Sequence, residues 1–93
     1  MVYDLVLLPS ASKEVQETLL WYEEQQKGLE ARFYKELQIA FNEITKDPDL
    51  FQKRYRDVRI RFLKKFKYGV HYQVNQNLII VLAVVHTAQK PRK

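Results

Sequence analysis

A chain of 93 residues without an internal repeat has room for one hydrophobic core, and 46% hydrophobic content with only two glycines excludes a disordered tail or linker. No cysteine is present, which excludes a disulfide framework and a thiolate metal site and favours the cytoplasm, and the longest apolar run, Leu78 to Val85, is too short to cross a bilayer as a helix. The net charge of +5 divides unevenly: residues 1–50 carry five Lys/Arg against ten Asp/Glu, whereas residues 51–93 carry eleven against the single Asp57, an asymmetry that points to an anionic partner.

The N-terminus, "MVYDLVLLPSASKE", has an acid inside its apolar run and no basic lead, unlike a secretory or transit peptide. Tyr3, Leu5 and Leu7 alternate with Asp4 and Val6, which predicts a strand of roughly six residues stopped by Pro9. Pro9 opens a turn, Ser10 or Ser12 is the expected cap of a first helix, and Glu14 and Glu17 suit its N-terminal dipole. Val15, Leu19, Leu20 and Tyr22 then recur at helical spacing to about Lys27. Gly28 interrupts the pattern. Leu29, Phe33, Leu37, Ile39, Ala40, Phe41 and Ile44 define a second amphipathic helix, ended by Asp47 and Pro48, and the pair forms a helical hairpin. Trp21, Tyr22 and Phe33 read as packing between these helices.

Beyond Pro48 the period becomes two. Val58, Ile60 and Phe62 alternate with Arg59 and Arg61, so a strand here is expected to turn its apolar set to the core and both arginines to the opposite face. Tyr68, Val70, Tyr72 and Val74 give a third strand, Asn75 to Asn77 a turn, and the apolar run from Leu78 to about Thr87 a fourth strand interior to the sheet. The order predicts one α+β domain over residues 1–93: a twisted, mainly antiparallel sheet in the order β-α-α-β-β-β, with the N-terminal helical hairpin on one face.

The spans "WYEEQQKGLEARFYKELQIAFNEITKDPDLFQKRY" and "VRIRFLKKFKYGVHYQVNQNLIIVLAVVHTAQKP" resemble the ParE/RelE superfamily of type II toxins, on its ParE-like side. The resemblance is carried by Gly28, Leu29, Arg32 and Phe33, by Pro48 with Phe51, by Arg59, by Phe66, Tyr68 and Tyr72, and by His86 with Pro91. Lys67 stands where the family often has proline, and Gln89 where it often has arginine, which removes a cation near the expected working end.

The resemblance implies a toxin held inactive by a cognate antitoxin. No cofactor or membrane partner is expected, and one histidine per strand with no Cys, Asp or Glu beside either gives no basis for a metal site. One branch of the superfamily inhibits DNA gyrase, and the other cleaves messenger RNA on the ribosome. Metal-free cleavage needs a base, an acid and cations for the phosphorane. Arg59, Arg61, Lys64 and His86 are the candidates for that work, although Gly69 stands where the cleaving branch has an arginine. For target or antitoxin binding the candidates are Arg56, Arg59, Arg61, Lys64, Lys65 and Lys90, with gyrase inhibition placed ahead of RNA cleavage and of a degenerate toxin that retains only antitoxin or nucleic-acid binding. On this reading, exchanging Arg59 and Arg61 for glutamate removes toxicity and leaves the fold intact. Plain nucleic-acid binding through the basic cluster ranks third, because Tyr55, Phe62, Phe66 and Tyr68 read as core.

Overall fold

The computed structural model describes residues 3–87. Strand β1 (Asp4–Leu7) leads into helix α1 (Pro9–Gln25), followed by α2 (Leu29–Lys46), a short β2 (Lys53–Tyr55), then β3 (Val58–Phe62), β4 (Tyr68–Asn75) and β5 (Leu78–His86). The sheet order is β1-β5-β4-β3-β2, with β1 parallel to β5 and the other neighbours antiparallel. The mainly antiparallel sheet, the helical hairpin against it and the interior place of β5 match expectation. β2 is a fifth strand that the alternation did not predict, and β1 is shorter than expected.

The start of α1 differs too. Pro9 is its first residue and Leu8 its cap, with no side-chain hydrogen bond from Ser10 or Ser12. Proline suits that position because its missing amide hydrogen would have no helical partner and its φ is already helical. No acidic residue lies in the first turn. Glu14 instead accepts a hydrogen bond from the Val84 backbone amide at 3.0 Å, where β1 has ended and no longer covers the edge of β5. Gly28 joins the helices at φ +92°, a left-handed conformation that a side chain would strain.

Phe33, Leu37, Ala40 and Ile44 of α2 and Ala11 and Val15 of α1 pack against Val70, Tyr72, Ile79, Val81 and Val84 of the sheet. Leu20 and Trp21 lie outside this core, and Trp21, although edge-on to Tyr22, is 53% exposed. Pairing shifts between His71 and Tyr72, whose partners are Ala83 and Val81, so Leu82 is an extra residue that changes the facing of β5. The turn from β4 to β5 falls at the expected place, with Gln76 supplying the positive φ.

Candidate functional site

The phase of β3 is the main correction. Arg59 pairs with Tyr72 and Arg61 with Val70, and directly opposed residues of an antiparallel pair share a face, so both arginines lie on the helix side with the core. Ile60 and Phe62, paired with His71 and Gly69, face away from the helices. Alternation was read correctly but assigned to the wrong sides.

The inward guanidinium groups are paired. Arg61, with 4% of its side chain exposed, donates from Nη2 and Nε to the same oxygen of Glu43 on α2, at 2.7 and 3.2 Å, and from Nη1 to the Phe62 carbonyl. Arg59 donates to the Phe51 carbonyl at 2.7 Å and to the Asp49 carboxylate at 3.2 Å. Carbonyls in the connection after α2 have no ladder partner, and Arg59 satisfies one of them while Tyr72 donates to that of Pro48 at 2.6 Å. Burial raises the Tyr72 hydroxyl pKa to about 12; nearby Arg59 opposes this, and Asp49 and Asp47 add to it. These contacts clamp the segment from Asp47 to Phe51 onto β3 and β4.

The exposed cations are elsewhere. Arg56 occupies the β2–β3 turn with φ +47°. Lys64, Lys65 and Lys67 are exposed on the β3–β4 loop, which is held by the Lys65 amide on Glu36 at 3.4 Å and by Phe66, whose ring packs edge-on to Phe33 and Tyr22. Arg32, Lys35 and Glu36 of α2 face Lys65 and Phe66 across a shallow cleft. Arg32 was singled out only for its family position, and Lys35 not at all. Three- and four-residue spacing on α2 places both on the outward face, but which loop lies opposite is a tertiary fact.

His86 stands opposite Tyr68, its ring 5.3 Å from the tyrosine ring. Arg59 pairs with Tyr72, four residues farther along β4, or roughly 13 Å at strand rise. The structure therefore does not gather Arg59, Arg61, Lys64 and His86 around one point. Lys90 lies outside the described residues, as do Gln89 and Pro91.

His71 is buried on the face away from the helices, and the Tyr55 hydroxyl lies 2.9 Å from its Nδ1. Burial lowers its pKa below the ordinary 6.5. The unfolded chain then binds a proton before the folded one does, so the stability carried by neutral His71 is full above pH 6.5 and declines as pH falls through and below it. In denaturant melts at pH 7.5 and 5.5, the His71→Gln protein should lose less stability on acidification than the parent. An equal loss in both proteins would assign the effect to other groups. Among the described residues no cluster of three or more His, Asp or Glu is placed to hold a metal ion, and no helix is long and apolar enough to cross a membrane.

Residues 5–91 match the family described as ParE toxin of type II toxin-antitoxin system, parDE. The chain belongs to the ParE toxin family. No curated protein matches it by sequence. Among solved structures, this ParE-type toxin is similar to a chain of the chromosomal ParDE toxin–antitoxin system from P. aeruginosa, with a TM-score of 0.80 at 10% identity over 91% of this chain and 96% of that one. It is also similar to a chain of the RelBE2 toxin–antitoxin complex from Mycobacterium tuberculosis, with a TM-score of 0.62 at 14% identity over 92% and 99% of the two chains. At these identities the two structures support the fold alone.

Proposed function

We propose that this ParE-type toxin is a binding inhibitor of DNA gyrase, neutralised by an antitoxin, rather than a ribosome-dependent ribonuclease. The observation that carries this reading is the inward turn of Arg59 and Arg61. Cleavage through a ribose hydroxyl needs cations beside the acid and base at one phosphate. Here both strand arginines are committed to carboxylates and carbonyls of their own chain, away from His86 along the sheet.

In this reading Arg59 and Arg61 act by holding the fold, and the partner meets Arg56, Lys64 and Lys65, with Lys90 as a further contact. An acidic, amphipathic antitoxin segment suits the same molecule. It would neutralise those cations and cover the exposed apolar side chains Leu20, Trp21, Tyr34 and Ile39 of the helices.

Replacing Arg56, Lys64 and Lys65 together by glutamate should relieve growth arrest by at least about tenfold in surviving cells, since like charge across a docking surface costs several kcal/mol. The melting temperature should stay within a few degrees, because all three side chains are exposed. Undiminished toxicity in the folded triple variant would take these cations out of the mechanism. The target is tested by induced expression with supercoiling and transcript integrity followed in the same cells. Lost supercoiling with intact transcripts supports gyrase, whereas early transcript cleavage overturns it in favour of the ribonuclease.

A further inference from the structure

The two edges of the sheet are built differently. β2, at one edge, carries Lys53 and Arg54, a register irregularity between Lys53 and Tyr55, and Arg56 at positive φ just beyond it, features that keep a second strand away. β1, at the other edge, has Asp4 as its single charge and runs on through Leu5, Val6, Leu7 and Leu8. The Asp4 and Leu8 amides donate to the Asn77 and Val81 carbonyls. By strand alternation, Asp4, Val6 and Leu8 therefore turn their backbone groups to β5, while the amides and carbonyls of Leu5 and Leu7 point to the open side. No strand among the described residues lies there to receive them. The side chains of Leu5 and Leu7 pack against the core, which puts Val6 on the face away from the helices, and Val6 and Leu8 are 45% and 39% exposed.

An open row of backbone donors and acceptors beside exposed apolar side chains is a template for another strand, and the sequence of β1 suits a second β1. In antiparallel pairing Leu5 and Leu7 must lie opposite residues whose groups also point outward, which leaves three symmetric registers. Setting Leu5 against Leu5 makes the two Asp4 residues diagonal neighbours at roughly 7–8 Å and puts each carboxylate beside Val6 of the other copy. Setting Leu7 against Leu7 brings Leu5 opposite Pro9, which has no amide hydrogen and begins α1. Setting Leu5 against Leu7 uses the outward groups of both residues in both copies and places Val6 against Val6 at the closer, non-hydrogen-bonded spacing. Asp4 then lies against Leu8, and the two Asp4 residues stand about 14 Å apart at strand rise, beyond the screening length. An acidic segment of the kind that suits the cationic loop gains no charge pairing beside Asp4. We infer that β1 pairs with β1 of a second copy of this chain, antiparallel about a two-fold axis at Val6, joining two five-stranded sheets into one. The cations proposed to meet the partner lie on the β2–β3 and β3–β4 connections, with β5 between them and this edge, so both copies keep them open.

The test uses the full chain without gyrase, ribosome or antitoxin, so its failure leaves the proposed target untouched. A patch this small belongs to the transient class of interfaces, so sedimentation velocity should show half-dimerisation at about 10–100 µM. Val6→Lys sets two ammonium groups against each other at the axis and should raise that concentration about tenfold or more. The exposure of Val6 lets this variant keep its fold, which a thermal melt verifies. Because the chain has no cysteine, Val6→Cys gives one thiol per chain. The Cα spacing of a non-hydrogen-bonded pair, about 4.5 Å, lies within the disulfide range, so diamide should link Val6→Cys about tenfold faster or more than Phe62→Cys, an exposed control on β3. Hydrogen exchange at the Leu5 and Leu7 amides should slow as concentration rises. A monomer throughout that range, a dimer unchanged in folded Val6→Lys, or equal cross-linking of the two thiol variants would overturn the inference. So would protection of Leu5 and Leu7 that appears only when an antitoxin is added, which would give this edge to that protein.

Discussion

Glu43→Ala should destabilise the protein by about 3 kcal/mol, more than Arg61→Met does, although the two changes remove the same ion pair. The asymmetry follows from burial. The side chain of Glu43 is 40% exposed and that of Arg61 only 4%, so a carboxylate left alone can recover water while a guanidinium left alone cannot. Both hydrogen bonds to Glu43 fall on one oxygen, and removing it strands the Nε and Nη2 donors together. Arg61→Met keeps an unbranched stem against the Phe51 ring and leaves Glu43 to rehydrate, at a cost of about 1 kcal/mol or less. Combining Arg61→Met with Glu43→Leu should recover most of the loss seen in Glu43→Ala, because a matched apolar pair needs no desolvated partner. Chemical denaturation of the four proteins measures all of this, and a Glu43→Ala cost no larger than that of Arg61→Met would remove the buried-charge explanation.

The same geometry changes how a familiar kind of test is read. Arg61→Glu sets two carboxylates against each other at a site with 2.7 Å contacts, and Arg59→Glu does much the same beside Asp49. Loss of toxicity in such a double variant reports a lost fold, not a lost docking surface. The exposed cations at positions 56, 64 and 65 are free of this ambiguity.

The sequence carried the element order because its signals are local: the apolar spacing of the helices, the break at Gly28, the stop at Asp47 and Pro48, and the alternation along β3 and β4. Three features were not legible for identifiable reasons. β2 is three residues of an edge strand, "KRY", whose cations suit an edge and hide the apolar pattern that marks a strand. Pro9 is read equally well as a turn or as a first helical residue, and only the short β1 that precedes it decides. The facing of β3 was inverted because both of its faces are occupied. Val58 and Ile60 are buried on the side away from the helices, while Arg59 and Arg61 reach inward to carboxylates that lie 10 and 18 residues away in the chain. Period gives two sets of side chains, and only tertiary partners say which set meets the helices. The exposure of Phe62 escaped for the same reason, since it had been placed in the core.

Phe33→Ala should lower stability by about 3–5 kcal/mol, which for a domain of this size moves the melting temperature down by roughly 15–30 °C. Phe33 is wholly buried, and its ring lies 5.2–5.3 Å from those of Tyr22, Phe66 and Tyr68, so it joins α1, α2, the β3–β4 loop and β4 at one point. Truncation removes the shared partner of three rings, and the half-buried neighbours cannot close the cavity without leaving one another. Phe66 sits between Lys65 and Lys67, so its freedom is theirs: the loop cations lose their fixed positions before the chain unfolds. Hydrogen exchange at moderate temperature should therefore show the amides of residues 64–68 opening more readily in Phe33→Ala than those of β5, whose ladders to β1 and to the rest of β4 do not involve Phe33. Phe33→Leu, which keeps much of the volume, should restore most of the stability and the loop protection. Uniform loss of protection across the sheet and the loop would mean that the aromatic group supports the whole core equally and does not position the cationic loop.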